Sequence, residues 1–196
     1  MKCPSLCSYT EACSLVKQGE LLIYPTETYY ALGTCIDSPQ KDRIYTIKGR
    51  SLHKPLPLLV HSIEQASYFV ILTSLAIELM IAFPTLTLIL PSKTSYMNTP
   101  TLALRRATTP LLHQLTEYMP LIATSANLSN EPAVACYTEL NRVLRNTIPV
   151  CPPCCKEDEP QGKLPSTIVR LDNESITIIR HGTTSEQELT SFTRKR

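Results

Sequence analysis

Tryptophan is absent from this 196-residue chain, and aromatic residues supply only 6% of it. A platform on which single-stranded bases stack is therefore not expected. Glycine is scarce too: Gly19, Gly33, Gly49, Gly162 and Gly182 are the full set, and no two lie within ten residues of each other. A Walker loop or a dinucleotide fingerprint needs two or three glycines within about six residues, so both are excluded. Neither a G-x-S-x-G elbow nor an H-E-x-x-H motif occurs. Charge of one sign is missing as well, since Lys and Arg number 19 against 17 Asp and Glu. With a net charge of +2 there is no global field to draw in nucleic acid, and any anion site must be a local cluster. The longest apolar run, Leu75 to Phe83, is interrupted by Glu78 and falls far short of the roughly 20 residues that span a bilayer. Met1-Lys2-Cys3-Pro4-Ser5 has no signal-peptide character. A soluble, cytoplasmic protein with no membrane partner is expected.

What the chain does have is cysteine, eight in all, with Cys136, Cys151, Cys154 and Cys155 in its last third. Without an export signal, disulfides are disfavoured. Cys151-Pro152-Pro153-Cys154 carries metal-ligand spacing, and Cys3 with Cys7 could complete a zinc site, but no second pair stands at standard spacing. Free thiols in a proline-rich loop are expected, and no metal site.

Helical and strand-like stretches alternate, which points to an α/β domain of a size to hold one core. Ser8-Tyr9-Thr10-Glu11 is a capping-box pattern opening a helix that Gly19 stops. Residues 21–24, 58–60, 85–90, 101–105 and 121–124 read as strands. Residues 41–48, a stretch from Ser62, and 74–83, 110–118 and 139–145 read as helices, and 149–165 as a loop rich in Pro, Cys and acid. Residues 167–171 and 175–180 alternate and form a hairpin across Asp172-Asn173. The domain is placed at 8–185, with 186–196 as a C-terminal tail whose last residues, Thr193 to Arg196, are expected to fray.

With glycine loops excluded, a nucleotide site here must use side-chain cations and hydroxyls. Tyr24-Pro25-Thr26-Glu27-Thr28 leaves a buried strand with two hydroxyls and a carboxylate, either as a capped turn or as a ligand-binding turn. Lys48-Gly49-Arg50 ends a helix, where the cations either compensate the helix dipole or clamp an anion, with Lys54 close behind. Arg105 and Arg106 point to opposite sides of an apolar strand. One of them must point inward or along a cleft, and an inward Arg needs an anionic partner. Ser125-Ala126-Asn127-Leu128-Ser129 is another hydroxyl- and amide-rich turn after a strand, and a helix N-cap is its other reading. Ser166-Thr167 precedes the last hairpin, and Arg180 ends it. His53, His61, His113 and His181 show no paired spacing and are read as surface or core residues.

In order along the chain, Tyr-Pro-Thr-Glu-Thr-Tyr-Tyr-Ala-Leu-Gly (24–33), Lys-Gly-Arg (48–50) with Lys-Pro-Leu (54–56), Thr-Leu-Thr-Leu-Ile-Leu (85–90), Thr-Leu-Ala-Leu-Arg (101–105), Ser-Ala-Asn-Leu-Ser (125–129), Pro-Ser-Thr-Ile-Val (165–169) and Ile-Ile-Arg-His-Gly (178–182) resemble the successive blocks of the YrdC/TsaC family. The resemblance covers residues 8 to 182. It implies a twisted mixed α/β sheet flanked by helices around a concave basic cleft. It also implies synthesis of threonylcarbamoyl-AMP from L-threonine, bicarbonate and ATP with its Mg²⁺, releasing pyrophosphate, with tRNA and threonylcarbamoyl-transferase proteins downstream. Carried over by position, Lys48 and Arg50 contact the ATP phosphates as the catalytic pair. Lys54, Thr101, Asn127 and Arg180 complete the nucleotide site, and Thr28, Arg105, Ser125 and Ser166 face threonine.

The sequence departs from the family pattern at several points. Ala31 and Asn130 stand where glycines are usual, Ala107 stands where Pro is usual, and the turn before Pro165 is Cys- and Pro-rich. Tyr-Ala-Leu-Gly occurs in the YciO-like branch, so the alternative expectation is an RNA-binding relative without threonine-dependent synthesis. Thr28 and the intact Lys48-Gly49-Arg50 argue for the synthase.

Overall fold

The structure is a computed structural model and describes residues 6–49, 56–93, 99–172 and 175–194. In chain order the elements are α1 (Tyr9–Lys17), β1 (Leu22–Pro25), β2 (Tyr30–Cys35), α2 (Lys41–Lys48), β3 (Leu58–Val60), α3 (Ile63–Ser67), α4 (Ser74–Ala82), β4 (Thr87–Pro91), β5 (Thr101–Arg106), α5 (Pro110–Thr116), β6 (Leu121–Ser125), α6 (Arg142–Thr147), β7 (Ile168–Asp172), β8 (Ser175–Arg180) and α7 (Glu186–Arg194). The strands form one mixed eight-stranded sheet in the order β1-β2-β6-β3-β5-β4-β7-β8. The β3–β5 and β4–β7 pairs are parallel and the remaining neighbours antiparallel. This is the mixed α/β sheet that the sequence leads one to expect.

Local chemistry sets the element ends. Ser8 and Glu11 make the reciprocal capping box of α1, and Gly19 leaves the helix at φ +76°. Ser62, Thr73 and Thr109 each accept a backbone N–H as the caps of α3, α4 and α5. Gly49 takes the left-handed conformation after α2.

Alternation along the strands splits the core between the two faces of the sheet. Ile23, Leu32, Leu58, Leu88, Leu102, Leu104 and Ile122 point to one face, where Ile44 of α2, Leu79 of α4, Leu144 of α6 and Leu189 of α7 join them in the larger core. Leu22, Tyr24, Ala31, Leu59 and Leu121 point to the other face and pack with Ala12 and Val16 of α1 and Leu111, Leu112 and Leu115 of α5. This second core covers only the β1, β2, β6 and β3 side. Farther along the same face, Ala103 of β5 and Ile89 of β4 are only half-buried, and Arg170 of β7 is exposed. Among the described residues, no helix packs on this half of the face.

The structure corrects two expectations and adds a helix. Residues 30–35 form a strand, so the turn at 26–29 closes a β1–β2 hairpin and does not lead out of a lone strand. The helix expected at 139–145 begins at Arg142, because Asn141 caps it and a 3₁₀ turn occupies Tyr137–Glu139. Residues 186–194, to which the sequence reading gave no element, form α7: Leu189 is buried, and Phe192 meets Phe83 edge-on at 5.3 Å between centroids.

Candidate functional site

Arg105 lies on β5 among apolar neighbours and is 9% exposed. Its Nη2 donates to the Glu27 carboxylate in a salt bridge, and the second carboxylate oxygen of Glu27 accepts from Thr108 Oγ1. The inward arginine therefore has the anionic partner that burial demands. Its Nη1 lies 3.5 Å from Thr28 Oγ1, and its buried Nε has no acceptor among the described residues. The hairpin turn that carries Glu27 is held from inside, since Thr26 Oγ1 accepts from Thr28 N and donates to Tyr29 O at 2.7 Å. The Cys- and Pro-rich loop braces it from outside: Gln161 N donates to Glu27 O at 3.0 Å and Gly162 N to Thr28 O at 2.9 Å.

The sheet register brings a second arginine alongside. Leu88 pairs with Leu104, Thr87 with Ile168, and Ile168 with Arg180, so Arg105, Thr87 and Arg180 fall on adjoining rows. Arg180 Nη2 donates to Ser166 Oγ at 2.8 Å and to Ser166 O at 2.7 Å, and Thr87 Oγ1 donates to Ser166 Oγ at 3.0 Å. Partial burial, and after it the Arg105 charge, lowers the pKa of the Arg180 guanidinium. The cluster thus sets two guanidiniums against the single Glu27 carboxylate, and it favours an added anion.

A second group forms where α2 ends. The Lys48 ammonium is buried against the β6 turn and donates to Ser125 O at 2.9 Å, to Asn127 Oδ1 at 2.7 Å and to Asn127 O. Asn127 Nδ2 in turn donates to Glu131 O. Asn130 beside it adopts φ +68°, the conformation that makes Asn an acceptable substitute for glycine there. Ala31 sits in regular strand pairing with Tyr24 and Ser125 and packs into the second core.

The sequence-predicted residues thus fall into two gatherings: Thr28, Arg105, Ser166 and Arg180 on the open sheet face, and Lys48, Ser125 and Asn127 at the end of α2. Thr101 stands four residues before Arg105 on the same side of β5. Arg50 and Lys54 lie outside the described residues. Sequence reasoning counts the Glu27 carboxylate only as part of its turn and assigns no role to Thr87 or Thr108. The requirement for an anion beside an inward arginine is the signal for Glu27, because Glu27 is the acid of the hydroxyl-rich turn.

Other features lie away from these groups. A 260 Å³ cavity between α1 and α5 is lined by Cys13, Val16, Cys35 and Tyr118, and none of the described site candidates borders it. Hydrogen bonding with Cys7, and after it burial, pushes the Cys151 thiol up. Among the described residues no group of three His, Cys, Asp or Glu is arranged to hold a metal ion, and no helix is long and apolar enough to cross a membrane.

Comparison with known proteins decides the family. Residues 14–182 match the Sua5/YciO/YrdC family, described as "Telomere recombination". The chain belongs to this family. Among relatives, the threonylcarbamoyl-AMP synthase of Vibrio vulnificus is 36% identical over 131 residues, 59% of this chain and 69% of that protein. Among solved structures, P. abyssi Sua5 complexed with L-threonine superposes with a TM-score of 0.79 at 25% identity, over 93% of this chain and 56% of that one. E. coli YciO superposes with a TM-score of 0.77 at 21% identity, over 92% of this chain and 91% of that one, a likeness of fold. This Sua5/YciO/YrdC chain spans little more than half the length of the P. abyssi Sua5 chain.

Proposed function

We propose that the protein is a threonylcarbamoyl-AMP synthase, a nucleotidyltransferase that condenses L-threonine, bicarbonate and ATP into threonylcarbamoyl-AMP, pyrophosphate and water for the modification of tRNA. The observation that carries this reading is Arg105: a buried guanidinium with an unpartnered Nε, faced by Thr28 and neighboured by Arg180 on an open sheet face. That is a receptor for a small carboxylate bearing a hydroxyl. Threonine is supported as that carboxylate by the L-threonine bound to P. abyssi Sua5 and by the synthase names of the relatives.

In this reading Arg105 binds the threonine carboxylate, with Thr28, Ser125 and Ser166 beside it. Lys48 and Arg50 hold the ATP phosphates, with Lys54, Thr101, Asn127 and Arg180 around the nucleotide. Threonine carbamate is itself the nucleophile toward the α-phosphorus, so the protein's contribution is alignment and charge neutralisation. ATP enters with its Mg²⁺ as substrate. For Lys48 to reach phosphate it must exchange at least one of its contacts with the Asn127 turn.

The test is pyrophosphate release by the purified protein with ATP, Mg²⁺ and bicarbonate. It should occur only when L-threonine is added, and Arg50→Ala should abolish it in a folded protein. Pyrophosphate release indifferent to threonine, or none at all, would reject the synthase and favour the RNA-binding alternative.

A further inference from the structure

Glu27 does more in this structure than neutralise Arg105. One of its oxygens lies on Arg105 Nη2 and the other on Thr108 Oγ1. Its side chain keeps 14% of its surface exposed, against 10% for Arg105, so neither member of the pair is wholly sealed off. It claims only one edge of the guanidinium, leaving Nε with no acceptor among the described residues and Nη1 with a long 3.5 Å contact to Thr28. A carboxylate that docks on the remaining donors therefore arrives beside a second carboxylate. For a simple carboxylic acid this is a like-charge encounter, which is costly away from bulk water. An α-amino acid differs, because its ammonium and carboxylate share one carbon. When the carboxylate sits on Arg105, the ammonium needs an anionic acceptor nearby, or it is buried unpaired.

We propose that Glu27 is the specificity-determining residue that receives the α-ammonium of the amino acid as it binds, before the amine is carboxylated, and then accepts from the N–H that the carbamate retains, so that the Glu27–Arg105 pair selects a zwitterion over carboxylates that lack the amine. The inference rests on the assignment of an amino-acid substrate made above. The pair is complementary to a zwitterion, attracting one charge with each member, and it works against an amine-free acid through the repulsive element that discrimination requires. The loop contacts to Glu27 O and Thr28 O keep the carboxylate at its post while Arg105 exchanges part of its coordination for substrate.

The experiment is calorimetric titration of the purified protein with L-threonine and with (R)-3-hydroxybutanoate, which keeps the carboxylate and side-chain hydroxyl and lacks the amine. The wild-type protein should prefer threonine strongly. Glu27→Gln should weaken threonine binding about 10- to 100-fold, the range of a hydrogen bond to a charged group, while leaving 3-hydroxybutanoate binding equal or stronger. A role confined to holding Arg105 in place would weaken both ligands alike, and that result overturns the proposal, as does an unchanged preference. Thermal melting establishes that the variant is folded. If Glu27→Gln does not fold, Glu27→Asp decides: with its carboxylate drawn back by one methylene, it must lose threonine affinity without losing 3-hydroxybutanoate affinity. A wild-type protein that binds no threonine and gives no threonine-dependent pyrophosphate overturns the synthase reading and this inference together. A wild-type protein that binds threonine, with Glu27→Gln doing the same, overturns this inference alone.

Discussion

At the scale of single residues, Arg105 and Gly33 carry opposite kinds of constraint. In the proposed synthase, Arg105 is needed for its fork. Arg105→Lys keeps a charge near Glu27 but offers a point donor, so threonine-dependent pyrophosphate release should show a KM for threonine raised at least about tenfold. Arg105→Ala should in addition lower stability by about 3 kcal/mol in urea titration, because it strands the Glu27 carboxylate. Gly33 is needed for what it lacks: a Cβ there would stand 2.5 Å from Ile122 O and 2.6 Å from the Tyr24 hydroxyl. The carbonyl belongs to the β2–β6 ladder and cannot retreat, so Gly33→Ala should cost about 1–3 kcal/mol by overpacking, read from the same titration. His113 gives a pH handle. Partial burial, then the charges of His61 and Arg106, hold its imidazole pKa below the usual histidine value, against a weaker upward pull from Glu27. The folded protein therefore binds this proton less readily than the unfolded chain. The contribution is present above the unfolded pKa and is lost as pH falls through the folded one, so the urea midpoint should drop on acidification by less in His113→Gln than in the wild type. The cationic pairings at this scale are partly legible in the sequence. Arg105 announces its need for an anion by sitting among leucines, but which acid meets it depends on a hairpin that the sequence pattern does not reveal.

That hairpin shows what sequence patterns leave out at the scale of elements. Residues 30–35 are buried on both faces of the sheet, so no period-two alternation marks them as a strand. The 149–165 loop is equally opaque, since Pro and Cys suggest only irregular backbone. Its role emerges from Asp158, fully buried at the start of α5, whose carboxylate accepts from Leu111 N at 3.0 Å and from Cys154 N at 3.2 Å. The loop is thereby tied to a helix N-terminus, where a carboxylate is favourably placed. Three residues later the same loop hydrogen-bonds the Glu27–Thr28 turn. Asp158→Ala should therefore act twice. It should cost about 1–3 kcal/mol of stability from the lost buried bonds, and by loosening Gln161 and Gly162 it should raise the KM for threonine more than it lowers kcat. Circular dichroism melts and pyrophosphate kinetics on the one variant measure both effects.

For the molecule as a whole, the two sheet faces divide the labour, and this division is only half readable from the sequence. The apolar strands and capped helices indicate the α/β class. Which half of which face stays open follows from crossover connections, notably the parallel β3–β5 and β4–β7 pairs, that no local pattern encodes. The last helix illustrates the consequence. Its polar, charged sequence reads as a solvated tail, yet Leu189 is 2% exposed and belongs to the larger core, on the sheet face opposite Arg105. The strands between them are one residue thick, so a defect on the core side need not displace donors on the open side. Leu189→Ala should accordingly destabilise the fold by about 2–4 kcal/mol through the cavity it leaves. At a temperature where the variant remains folded, its KM for threonine should match the wild type. A Leu189→Ala protein with unchanged melting temperature would mean that α7 does not close the core. One with normal stability loss but a raised KM would mean that the two faces are mechanically coupled through β8, the strand that carries both Ile176 and Ile178, packed against the core that includes Leu189, and the candidate site residue Arg180.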